Sequence, residues 1–206
     1  MNGSFRVEFA TEPGRVPELL TKLAATGTTS YLPALISSPA TLYREALPSL
    51  ANLTREGISG GAEALGAHLE GSFISVEKKR AHPAEYVSPP DPGLLGALLD
   101  LAPVRMITLA PELDGARELM ELAGKRGVVV SAGHSNATFE LACEVFDGEV
   151  AGVTHLFNAM SPLHHRKPGL PGAALARPRA TRGLIADGRH VHLGMVALAF
   201  RMLGPD

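Results

Sequence analysis

Residues 68–73 read HLEGSF and close an apolar run with a histidine and a glutamate. A carboxylate at the end of a core strand is costly to desolvate unless a cation offsets that cost. Outward from Glu70, short apolar runs of β type alternate with amphipathic stretches of helical period, the pattern of βα units around a parallel sheet. Strands are predicted over residues 28–35, 67–70, 104–110, 127–132, 152–156 and 183–186. Helix starts are predicted at Ser38 before Pro39 and at Asp91 before Pro92, each a capping oxygen ahead of a proline suited to the first turn. Gly124 and Gly127 follow the apolar face Leu113, Leu119, Leu122 and are predicted to stop that helix. A (β/α)8 barrel and an open doubly wound sheet both fit this pattern. The polar residues choose: Glu70, His134, His155 and His190 lie at or just beyond the ends of different strands, where barrel enzymes build their sites. An open sheet gathers its site at one crevice, and no G-x-G-x-x-G or Walker loop is present.

The 206 residues are 45% hydrophobic with a formal net charge of −2, an ordinary globular composition with ample core. No basic block points to nucleic acid or a membrane surface, and no internal repeat or linker marks a boundary, so one domain over 1–206 is expected. The single cysteine, Cys143, lies in an apolar helical pattern and reads as a packing residue in a reducing compartment. The richest apolar stretch, residues 94–109, is broken by Asp100, Pro103 and Arg105, so no membrane span is expected and the location expected is the cytoplasm.

Two imidazoles and one carboxylate can hold a catalytic zinc with a fourth position open to water, which makes Glu70, His134 and His155 the candidate ligands. No compact motif such as H-E-x-x-H ties them together, and singly each reads as a salt-bridged or hydrogen-bonded rim residue. Lys78, Lys79 and Arg80 read as exposed, and His68 and His192 as residues that orient neighbours or pack. The run His164-His165-Arg166-Lys167 reads as a solvated loop.

The words around these residues are GTTSYLPALISSP, GAHLEGSFISVEKKRAH, ITLAPE, VVSAGHSNAT, THLFNAMSPLHHRKPGLPGAAL and LIADGRHVH, in that order. Through them the chain resembles the N-acetylglucosamine-6-phosphate deacetylases of the amidohydrolase superfamily along nearly its whole length. The resemblance implies a TIM-like metal-dependent hydrolase barrel that releases acetate from N-acetylglucosamine 6-phosphate. It implies Glu70, His134 and His155 as ligands of one divalent metal, zinc or iron. It makes His190 a sugar contact that polarises the carbonyl, and His82, Asn158 and Ala159 substrate contacts. Arg166 would reach across a homodimer interface to the neighbour's sugar phosphate, its planar fork suited to phosphate oxygens.

Measured against that family, the sequence opens at Met1-Asn2-Gly3, where Asn2-Gly3 resembles the tail of a Gln-x-Asn-Gly strand end that accords with one metal. It stops at Asp206, ahead of the family's last strand and its Thr-Asp-Ala motif. The expectation is an incomplete barrel of about six of eight strands, without the family's β-sandwich and without its general acid/base aspartate. Such a group contributes about 10²–10⁴-fold, and Asp187 belongs to a different motif. The alternatives are a sugar-phosphate- or metal-binding remnant, half of a split enzyme, or a barrel hydrolase of another amide. Ser72 replaces the family's proline and is expected to loosen the loop after Glu70. Arg80 puts a bulky charge where the family has a glycine, a residue that allows unusual backbone angles, and this weakens the contact assigned to His82.

Overall fold

The computed structural model describes residues 3–9 and 11–203. Asn2 and the final residues 204–206 lie outside them, so the readings placed there have no structural counterpart. In chain order the strands are β1 (Gly3–Ser4), β2 (Val7–Glu8), β3 (Ser30–Tyr31), β4 (Ala34–Ile36), β5 (Glu63–Ala64), β6 (Ala67–Glu70), β7 (Val104–Leu109), β8 (Val129–Ala132), β9 (Val150–Val153) and β10 (Thr181–Arg182). The α-helices are α1 (Val16–Ala25), α2 (Ala40–Glu56), α3 (Pro92–Leu99), α4 (Ala116–Lys125), α5 (Phe139–Asp147), α6 (Gly169–Ala176) and α7 (Leu193–Leu203).

Six strands form one sheet in the order β10-β9-β8-β7-β6-β4, every pair parallel. Spatial order follows chain order without reversal. A doubly wound sheet reverses at a switch point, so this is the wall of a (β/α) barrel, present as a six-stranded arc. Period-2 alternation sorts its faces. In Ala67-His68-Leu69-Glu70, Leu69 packs in the core with Ile107, Leu109, Leu47, Leu95 and Leu119, all fully buried. His68 and Glu70 take the other face, and the register carries Thr108 and Ser131 onto it beside Glu70. Each fully buried leucine on the outer face contributes about 1.5–3 kcal/mol relative to exposure.

Four predicted elements shift, the strand expected over 152–156 lying at 150–153. The first strand splits at Leu32-Pro33: β3 pairs with β5 in a separate two-stranded sheet, and only β4 enters the main sheet. Proline has no N–H for a ladder, and the Pro33 carbonyl instead accepts the His68 N–H at 2.9 Å. The last strand lies at 181–182, ahead of the predicted 183–186. Ser38 does not cap α2; its hydroxyl turns back to the Ile36 carbonyl at 2.8 Å, and Pro39 holds the cap position. Asp91 caps α3 as expected, accepting the Leu94 N–H at 2.9 Å. Gly124 lies inside α4, and Gly127, at φ +69°, turns the chain out of it. Cys143 is buried in α5. No helix among the described residues is long and apolar enough to cross a membrane.

Candidate metal centre

Glu70 is the last residue of β6, while His134 and His155 each stand two residues past the ends of β8 and β9. The close approach of these ends needs Gly133, because a Cβ there would lie 2.8 Å from Thr108 Cγ2 and 3.0 Å from Thr154 Cβ. Both histidines leave their strands in the left-handed region, His134 at φ +48° and His155 at φ +37°. That conformation costs a non-glycine residue about 1–2 kcal/mol, and such strain concentrates at functional sites.

Three acceptor atoms converge here. His134 Nε2 lies 3.1 Å and His155 Nε2 3.3 Å from Glu70 Oε1, and the two Nε2 atoms are 3.0 Å apart. All three side chains are largely buried, and their ligand-type atoms fall within 4.8 Å of one another. The far side of each ring is committed: His134 Nδ1 meets the Lys78 carbonyl at 2.8 Å, and His155 Nδ1 meets the Asn158 carbonyl at 3.1 Å. A carbonyl only accepts, so each Nδ1 carries the proton and a neutral ring turns a bare Nε2 to the centre. Burial pushes the Glu70 carboxyl up, but the imidazoles of His134 and His155 outweigh it and hold the acid well below the usual carboxylate range. An ionised carboxylate between two such nitrogens calls for positive charge, supplied either by protons on the rings or by a cation. The donor set suits a divalent ion of the zinc or iron kind.

Beneath the centre runs a polar floor. His68 Nε2 is 2.8 Å from Thr108 Oγ1, which is 2.7 Å from Thr154 Oγ1, itself 2.7 Å from Ser131 Oγ. Burial pushes the His68 imidazole down to about 4, so it sits there neutral. It lies outside the converging group, as does His192, whose Nδ1 accepts the Gly194 N–H at the start of α7. An apolar-lined cavity of about 710 Å³ lies on the other side of this floor.

Above the centre opens a cavity of about 990 Å³, lined by Glu70, His134 and His155 and by four other predicted site residues, His82, Asn158, Ala159 and His190. His82 is 2% exposed, and its Nδ1 accepts from the Ser37 N–H at 3.2 Å with the Ser37 hydroxyl at 2.8 Å. The neutral ring therefore carries its proton on Nε2. Burial first, then the neighbouring His134, push His82 down to about 4. The buried Asn158 Nδ2 has no partner. Ala159 stands at φ +50° and its carbonyl accepts the Ser135 N–H. His190 is exposed and held by Asp187, Nδ1 to Oδ2 at 2.7 Å; hydrogen bonds from the His190 backbone, its ring and the Arg189 backbone hold Asp187 well below its usual range. Arg166 is not brought to this cavity. It lies exposed on the loop after β9, its N–H on His164 Nδ1.

Two residues with no predicted role brace the centre. Glu112 takes the Ser135 hydroxyl at 2.7 Å and the Asn136 N–H at 2.5 Å, tying down the loop that carries His134. Its signal was the same as that of Glu70, a carboxylate just past an apolar strand. Lys78 contributes its carbonyl and is half-buried, like Lys79, rather than exposed. In the loop after Glu70, Ser72 is buried and its carbonyl accepts from the Ile74 and Ser88 N–H groups. Arg80 stands at a left-handed angle, φ +50°.

Barrel and site together define a class: a (β/α) barrel with a candidate Glu/His/His metal centre at the C-terminal ends of its strands. Within that class the relatives include N-acetylglucosamine-6-phosphate deacetylases and, at 36% identity over 188 residues, an N-acetylgalactosamine-6-phosphate deacetylase of Escherichia coli O157:H7. The N-acetylglucosamine-6-phosphate deacetylase from Danio rerio is 37% identical over 214 residues, covering 98% of this chain and 52% of the relative. The crystal structure of N-acetyl-D-glucosamine-6-phosphate deacetylase from Mycobacterium smegmatis superposes with a TM-score of 0.92 at 31% identity, covering 100% of this chain and 54% of that one. An aspartate-to-alanine mutant of the same enzyme, in complex with N-acetyl-D-glucosamine-6-phosphate, superposes at 0.91 and 31% identity, covering 100% and 53%. No family profile matches the chain. The chain spans about half the length of the curated relatives it matches.

Proposed function

We propose that residues 1–206 form one barrel unit that holds a single divalent metal, zinc in the first instance, on Glu70, His134 and His155, and deacetylates N-acetylglucosamine 6-phosphate to glucosamine 6-phosphate and acetate. The observation that carries this reading is the pair of Nδ1–carbonyl bonds, which aim two bare Nε2 atoms at one carboxylate oxygen. A bound divalent ion supplies Lewis acidity to water and to the acetamide carbonyl. The chain's own residues then bind and orient. His190, steadied by Asp187, stands where the carbonyl is to be polarised; Asn158 offers its unpartnered amide, Ala159 its backbone, and His82 its Nε2–H from the cavity wall. In this reading Arg166, exposed and outside its own cavity, serves the sugar phosphate of a second copy in a homodimer, and the cytoplasm is the compartment in which such a substrate and the lone thiol of Cys143 both belong.

A second reading, sugar-phosphate binding with little turnover, is favoured by one observation. Among the described residues the carboxylates lining the cavity are Glu70 and Asp187, and Asp187 accepts three hydrogen bonds that make it a weak base. Acetate release from N-acetylglucosamine 6-phosphate, with and without a chelator and beside unphosphorylated N-acetylglucosamine, decides between them. Chelator-sensitive release selective for the phosphate ester supports deacetylation. Metal-dependent binding of the ester without release supports the second reading, and neither binding nor release overturns both.

A further inference from the structure

We infer that Arg80 binds the phosphate of the sugar from the chain's own loop and sets the preference for phosphorylated over unphosphorylated amino sugars at this site. This rests on the sugar-phosphate reading above and adds to it a residue in the same subunit. Among the described residues lining the 990 Å³ cavity, Arg80 is the one Lys or Arg. It is exposed to that space, and no side-chain hydrogen bond or ion pair among the described residues engages its guanidinium. Of the two carboxylates lining the cavity, Glu70 belongs to the metal centre and Asp187 is committed to His190 and Arg189. Apart from the metal centre, a dianionic ester entering the cavity therefore meets, among the described residues, one free cationic side chain, whose planar fork can give two parallel bonds to phosphate oxygens.

The backbone holds that cation in place. The Lys78 carbonyl is tied to His134, the His82 N–H returns to the Lys79 carbonyl at 3.0 Å, and Lys79 Nζ reaches the His82 carbonyl at 3.1 Å. Between these anchors Arg80 sits at φ +50°, an angle that glycine takes freely and arginine does not. Backbone strain of this kind concentrates at ligand-binding sites.

The test is calorimetric titration of the metal-loaded full chain with glucosamine 6-phosphate and with glucosamine, for the native chain, Arg80→Gly and Arg80→Lys. Glycine suits the left-handed angle, so Arg80→Gly is expected to fold at least as stably, checked by its thermal midpoint. It should weaken glucosamine 6-phosphate about tenfold or more while changing glucosamine by no more than about twofold, with Arg80→Lys between the two. Equal affinity of native and Arg80→Gly chains for glucosamine 6-phosphate, or an equal loss for both sugars, overturns the role of Arg80 and leaves the sugar-phosphate reading standing. A native chain that binds no sugar phosphate overturns both.

Discussion

Two parts of the rim were assigned by the same sequence resemblance and are built differently. At the ends of β6, β8 and β9, Glu70, His134 and His155 are largely buried, and each histidine is fixed from behind by a carbonyl. Beyond β10, His190 is exposed with a single side-chain partner, and among the described side chains of α7 only Ala199 is buried, while Leu193, Phe200 and Met202 are more than half exposed. α4, of similar length, buries Ala116, Leu119, Met120 and Ala123. The half that carries the candidate metal ligands is organised by its own packing before any ligand arrives. The segment 181–203, to which the resemblance assigns the sugar contact, has little packing of its own.

The largest expected effect breaks the first half outright. The double variant His134→Ala, His155→Ala should lose its metal, from about one ion per chain to background by elemental analysis, because one carboxylate cannot hold the ion alone. Unchanged metal content in a variant with native circular dichroism would refute the ligand assignment. Amide hydrogen exchange sharpens the contrast next. Amides of α7 should exchange faster than those of β8 and α4 by roughly two orders of magnitude, since exposed backbone with few buried contacts opens locally at low cost. Equal protection of α7 and β8 would remove the distinction. The smallest effect probes the brace: Glu112→Ala should weaken zinc affinity about 10–100-fold by competition with a chromophoric chelator, leaving one site per chain, because support of a ligand-bearing loop tunes affinity without supplying a ligand. An unchanged affinity would show that the His134 loop holds itself.

Most of the architecture was legible because apolar runs and helix signals are local. Residues 67–70 declared a strand, Asp91-Pro92 a cap, and the strand-end polar residues their rim. The misses also have local causes. Pro33 interrupts a run that hydropathy alone reads as continuous, and Ser38 had a nearer carbonyl to bond than the helix it precedes. In the segment 183–186, hydropathy resembles a strand, yet sheet pairing is spent two residues earlier, at Thr181 and Arg182.

The sequence by itself determined which residues could be ligands and that they follow different strands. It did so because strand ends and residue chemistry are properties of a few neighbouring positions. Only the tertiary structure decided that Glu70 and His155, 85 residues apart, meet through one carboxylate oxygen, that the Lys78 carbonyl selects the His134 tautomer across 56 residues, and that Arg80 stands over their cavity without a partner while Arg166 does not. Those facts depend on the register of β6 through β9 and on loops that close over it. Register is a sum of many distant hydrogen bonds and packed faces, and no single stretch of the chain contains it.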